Sequence, residues 1–88
     1  MDLDYLRKEI NETDKVILSA FEKRMDLCRQ VALYKKENGL PVFQSKREQE
    51  IIERVRNDSP EHLKDGAAAL FTEIMDISKC LQQQELLR

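Results

Sequence analysis

The sequence predicts an all-α fold of three helices, with a very long first helix, assembled as an intertwined helical dimer. Three observations predict it. Glycine and proline are scarce, two of each among 88 residues, and there is no tryptophan. Charged residues make up 36% and hydrophobic residues 41%, a balance that suits amphipathic helices better than sheet. From Asp2 to Asn38 neither helix breaker occurs, and apolar residues recur at helical spacing.

The first helix is expected to end at Asn38-Gly39, a left-handed stop, with Pro41 barring continuation. About 35 residues at 1.5 Å each give a rod of roughly 50 Å. Leu40-Pro41-Val42-Phe43 then forms a short apolar linker. Ser45 can cap the second helix, and Ser45-x-x-Glu48 fits a capping box. Ile51, Ile52 and Val55 supply its buried face, and Asn57-Asp58-Ser59-Pro60 ends it. The third helix starts either at Ser59-Pro60, with proline in the first turn, or at an Asp65 cap after a turn over residues 60–64. Ala67, Leu70, Phe71, Ile74, Ile77 and Leu81 form its apolar stripe, which runs to about Leu87.

Helices of about 35, 13 and 22 residues follow from these signals. Residues 1–88 suit one domain, and a domain this small buries only a modest part of its surface. The second and third helices together are too short to cover the first. Two chains laid with their long helices side by side remove the difficulty.

The formal charge of -2 comes from 15 basic and 17 acidic residues. This mixed surface gives no reason to expect nucleic acid or membrane as a partner. The N-terminal run MDLDYLRKEINE is charged from its second residue, with no apolar core of signal-peptide length. Cys28 and Cys80 have no metal spacing and are expected as reduced thiols packed as small hydrophobes. The expected compartment is the cytoplasm.

Along the first helix, alternating steps of three and four read Leu3, Arg7, Ile10, Asp14, Ile17, Phe21, Arg24, Cys28, Val31, Lys35. Arg7, Arg24 and Lys35 interrupt an otherwise apolar seam. A cation buried without a partner costs several kcal/mol, so something anionic should meet these side chains. That partner is either a ligand or a neighbouring acid such as Asp14, unless the long stems snorkel to water. On the second helix, the face Gln44, Glu48, Ile51, Val55 carries an acid among apolar residues. Glu48 reads equally as a capping-box acid or a ligand contact. On the third, Ser78 and Gln82 lie four apart beside the apolar stripe. Ser78 alone would pass as a back-bonded helix serine, and Gln82 sits in a run of three glutamines.

Together these side chains describe a cation-rich pocket with no nucleophile–base pair and no metal-ligand cluster. The single histidine, His62, is expected at the surface near a helix start. Such a site suits a small polyanion whose reaction needs holding rather than proton transfer. Arg24 and Lys35 are 11 residues apart, roughly 16 Å along the axis, so their side chains can converge on one small molecule. Arg7 precedes Arg24 by 17 residues, roughly 25 Å, too far to share that site within one chain. It should act from a partner's antiparallel helix, giving two shared sites per dimer.

Leu6-Arg7-x-x-Ile10-x-x-x-Asp14, then Arg24, Val31-x-x-x-Lys35, Pro41-Val42, Arg47-Glu48 and Ser78-x-x-x-Gln82 resemble the all-helical (AroQ-type) chorismate mutases, in order and across almost the whole chain. The resemblance implies an isomerase that rearranges chorismate to prephenate on the way to phenylalanine and tyrosine. It implies an interlocked three-helix homodimer without a cofactor. By similarity, Arg24 clamps one substrate carboxylate and Arg7 of the other chain the second. Lys35 and Gln82 hydrogen-bond the ether oxygen, Glu48 accepts from the ring hydroxyl, and Arg47 and Ser78 support the carboxylate end. Gln44 stands where relatives often carry Asp, which bears on hydroxyl binding if that position acts through its side chain.

Three other readings compete. One is an isochorismate pyruvate lyase of the same fold. The second is a non-catalytic helical module that dimerises and senses an aromatic-pathway metabolite. The third is a plain coiled coil in which the seam cations tune register. The sequence leaves open whether the chain stands alone or belongs to a bifunctional protein, and whether aromatic amino acids regulate it.

Overall fold

The computed structural model describes residues 2–87. Its helices are α1 (Leu3–Glu37), α2 (Ser45–Asp58) and α3 (Lys64–Leu86), with one 3-10 turn at Glu61–Leu63 before α3. The fold is all-α, with no strand among the described residues.

Asp2 caps the start of α1, and the stop signal at its other end acts as expected. The Asp2 carboxylate accepts from the Tyr5 N–H at 2.8 Å, satisfying one of the first-turn donors. At the other end Gly39 adopts φ +66°. Leu40 N–H then donates to Lys35 O at 2.8 Å and Gly39 N–H to Lys36 O at 3.4 Å, the paired bonds of a Schellman cap. The cap closes on the carbonyl of Lys35 itself, so the backbone carrying that cation is held at the helix end.

The start of α2 differs from expectation. Gln44 is the N-cap, with extended backbone and no side-chain cap bond, and Ser45 is already helical. The capping box does not form, because the Glu48 carboxylate turns to Lys79 on α3 at 3.2 Å instead. An ion pair across helices replaces a local cap. At the far end of α2, Lys64 Nζ donates to the carbonyls of Arg56 and Ser59, a cation placed where a helix C-terminus favours one.

Of the two expected starts for α3, neither is complete. Pro60 is extended and residues 61–63 form the turn, but Asp65 does not cap. It lies in the first turn of α3 and accepts from Arg56 at 2.9 Å.

The helix α3 is the centre of the arrangement: α1 and α2 each pack on it and not on one another. Its expected apolar stripe divides between two faces. Ala68 and Met75 are buried, and Ile51, Val55 and Met75 form the core, with Ile52, Ala67 and Phe71 packed around them. Leu70 and Leu81 remain exposed. Each buried Ile, Val or Met side chain contributes about 1.5–3 kcal/mol, so this is a thin core for a chain 55 Å long. In α1 only Ala32 is buried, where its small side chain lets α1 lie close. Residues 2–20 are exposed throughout.

Candidate active site

Because α1 and α2 share only α3, a gap is left between them with α3 as its floor. It forms a cleft of about 280 Å³. Arg24, Cys28, Val31 and Lys35 face it from α1, spaced by four, three and four residues, so they share one helical face. Gln44, Arg47 and Glu48 enter from the start of α2, and Ser78, Lys79 and Gln82 from α3. Val42 and Phe43 of the linker and Ile51 and Met75 of the core complete the wall.

Seven of the eight side chains that the sequence singles out therefore meet in one place. Arg7 is the exception; it is exposed on the N-terminal half of α1, away from the cleft. Ser78 is buried, at 5% exposure. Gln82 Nε2 donates one hydrogen to Cys28 O at 2.8 Å. That bond crosses from α3 to α1 and uses one of the two amide hydrogens, leaving the second available. Gln44 lines the cleft at the N-cap, where its carbonyl accepts from Glu48 N–H at 3.3 Å.

Neighbouring acids do not account for the seam cations. Among the described residues, Arg7, Arg24 and Lys35 make no ion pair. Arg24 has only a long contact, 3.7 Å from Nη1 to Cys28 Sγ. Arg47 pairs within its own helix with Glu50 at 3.8 Å. Four cations thus line the cleft against one carboxylate, Glu48. Preorganised positive charge with this excess favours an anion with more than one negative group.

Lys79 is a cleft residue that helical spacing did not reveal. It lies beside Ser78 and one turn before Gln82, but a lysine on a charged helix ordinarily reads as solvated surface. Only the packing of α2 against α3 brings its ammonium to Glu48. Hydrogen bonding to Glu48 raises its pKa above the usual lysine value, opposed by some desolvation and helped by Asp76. The thiols are unpaired; Cys28 is half-buried in the cleft, whereas Cys80 is exposed rather than packed. No group of side chains suited to a metal occurs among the described residues. No described helix is long and apolar enough to cross a membrane.

A family model for type II chorismate mutase matches residues 6–83, which take in every cleft residue named above. The chain belongs to the type II chorismate mutase family. It is also similar to a curated chorismate mutase from Methanocaldococcus jannaschii, with 34% identity over 83 residues, covering 92% of this chain and 84% of that protein. No solved structure matches the chain significantly. Family membership makes the chain an isomerase and agrees with its all-α architecture. Neither the pyruvate-lyase reading nor a non-catalytic module is favoured by these likenesses.

Proposed function

We propose that the chain rearranges chorismate to prephenate within the cleft, as a homodimer whose two sites each draw residues from both subunits. The observation that carries the reading is the convergence of Arg24, Lys35 and Gln82 on one cleft, with no acid paired to either cation. Chorismate is a dicarboxylate. Its rearrangement breaks an ether C–O bond as a C–C bond forms, with no proton transfer and no covalent enzyme intermediate. The absence of a nucleophile–base pair in the lining fits that chemistry.

In this reading Arg24 clamps one carboxylate, while Arg47 and Ser78 support that end of the substrate. Lys35 and the free N–H of Gln82 donate to the ether oxygen, which becomes more negative as its bond stretches. Donors already aimed at that position stabilise the transition state more than the ground state. Glu48 accepts from the ring hydroxyl, and Gln44 lines the same part of the cleft. The remaining rate advantage comes from holding the reactive diaxial conformer. The two free thiols support a cytoplasmic setting.

Arg7 enters from the partner subunit. Supporting this, Leu3, Ile10, Val16, Ile17 and Leu18 of α1 are 58–68% exposed. Ile17, Leu18 and Phe21 line an open apolar groove of about 590 Å³ with Leu70, Phe71, Ile74 and Ile77 of α3. An apolar surface on this scale marks an interface rather than a solvated face. The apolar face of a second α1 would match it in character.

The test is to follow chorismate loss and prephenate formation with purified protein, beside Lys35→Ala. One oxyanion-type donor is worth about 3 kcal/mol, or roughly 10² in rate. Lys35→Ala should therefore lose at least that factor in kcat while keeping its helical circular dichroism. Near-normal turnover by the variant would remove Lys35 from the mechanism. No turnover by the wild type would remove the function.

A further inference from the structure

The proposed roles leave one cleft cation unused. Lys79 Nζ stands 3.2 Å from Glu48 Oε1 and 3.5 Å from Oε2. On its other side it meets Asp76 Oδ1 at 3.4 Å, one turn earlier on α3. Glu48 and Lys79 are each about one-third exposed, at 35% and 36%, so the pair sits at the cleft wall rather than free in water. Glu48 is the only acid in the lining. Unopposed, it would repel a dianionic substrate, and as a side chain in the first turn of α2 it would be free to swing toward solvent.

We propose that Lys79 is a positioning residue for Glu48, holding its carboxylate in the cleft as an acceptor for the substrate hydroxyl and cancelling its repulsion of the substrate's carboxylates. This rests on the chorismate mutase reading above. Asp76 braces the ammonium from the surface side, so that Lys79 does not turn into the cleft and compete for a substrate carboxylate. The lysine thereby separates two duties, with Arg24, Lys35 and Arg47 facing the anion and Lys79 facing the enzyme's own acid. A hydrogen bond to a hydroxyl that does not react is made in the ground state as well as the transition state. Its loss should therefore register in KM more than in kcat.

The experiment compares the steady-state kinetics on chorismate of the wild type, Lys79→Met, Lys79→Arg, Glu48→Gln and the Glu48→Gln/Lys79→Met double variant, with thermal unfolding of each. Lys79→Met should raise KM about tenfold and change kcat less than about threefold. Lys79→Arg should recover most of the loss. In the Glu48→Gln background, with Asp76 still holding the lysine outward, Lys79→Met should change KM less than about twofold. An equal KM loss in both backgrounds would mean that Lys79 touches substrate directly and would overturn the proposal. So would wild-type kinetics for Lys79→Met, or a loss that simply follows a fall in melting temperature. Absence of wild-type turnover would overturn the parent reading and this one together, whereas the other failures leave the parent reading intact.

Discussion

At the residue scale the cleft is built from donors and fixed charges rather than groups that must change protonation. Gln82 is the clearest case. Its amide donates without carrying a proton that solvent can remove, and one of its two hydrogens is already held by Cys28 O. Lys79 behaves in the same sense over the neutral range. Its pKa is raised above 10.5 by its hydrogen bond to Glu48. On the alkaline side, the stability gained through Lys79 is therefore fully present below the unfolded lysine value and is lost as pH rises through the higher folded value. The lining also contains no histidine. Turnover measured between pH 6 and 8 should accordingly stay within about threefold, since the proposed rearrangement moves no proton and the Gln82 amide does not titrate. A steep loss across it would show that a titrating group takes part.

At the element scale, the end of α1 sets the position of Lys35. The cap bonds run back from Leu40 N–H and Gly39 N–H to the carbonyls of Lys35 and Lys36, with Gly39 at φ +66°. A Cβ at Gly39 would meet nothing within 4 Å, so substitution there costs backbone strain rather than a clash. Gly39→Ala should destabilise the fold by about 1–2 kcal/mol in urea unfolding, the cost of a left-handed residue with a side chain. An unchanged midpoint would show that the cap can be made another way. The ends of α2 and α3 were less legible. Ser45-x-x-Glu48 has the spacing of a capping box, yet Glu48 bonds Lys79. A local signal loses when a charged partner on another helix offers a better hydrogen bond than a backbone N–H. Asp65 similarly gives up a capping role for Arg56.

At the scale of the whole molecule, the exposed half of α1 and the position of Arg7 carry one prediction. If each site combines Lys35 from one chain with Arg7 from the other, Arg7→Ala and Lys35→Ala proteins should each be nearly inactive. Unfolded together and refolded as an equal mixture, they should regain about one quarter of wild-type activity, because half the dimers are mixed and each mixed dimer has one intact site. No recovery, with mixed dimers confirmed by native mass spectrometry, would place Arg7 outside the site.

The helices, the long rod of α1 and the misplaced cations of its seam were legible before any packing was known. These depend on nearest-neighbour backbone preferences and a 3.6-residue period, which any one segment carries alone. The sequence also showed that Arg24 and Lys35 share a face while Arg7 stands too far away. Tertiary structure alone decided that α1 and α2 meet only through α3, and so that a gap remains between them. It decided the division of the α3 stripe between a core face and an open groove, since apolar spacing names a face but not what covers it. It decided Lys79 as well, because an ion pair between residues 31 apart depends on how α2 and α3 slide against each other, and that register is set by the packing of Ile51, Val55 and Met75. The seam cations were legible because they offend a local pattern; Lys79 offends none.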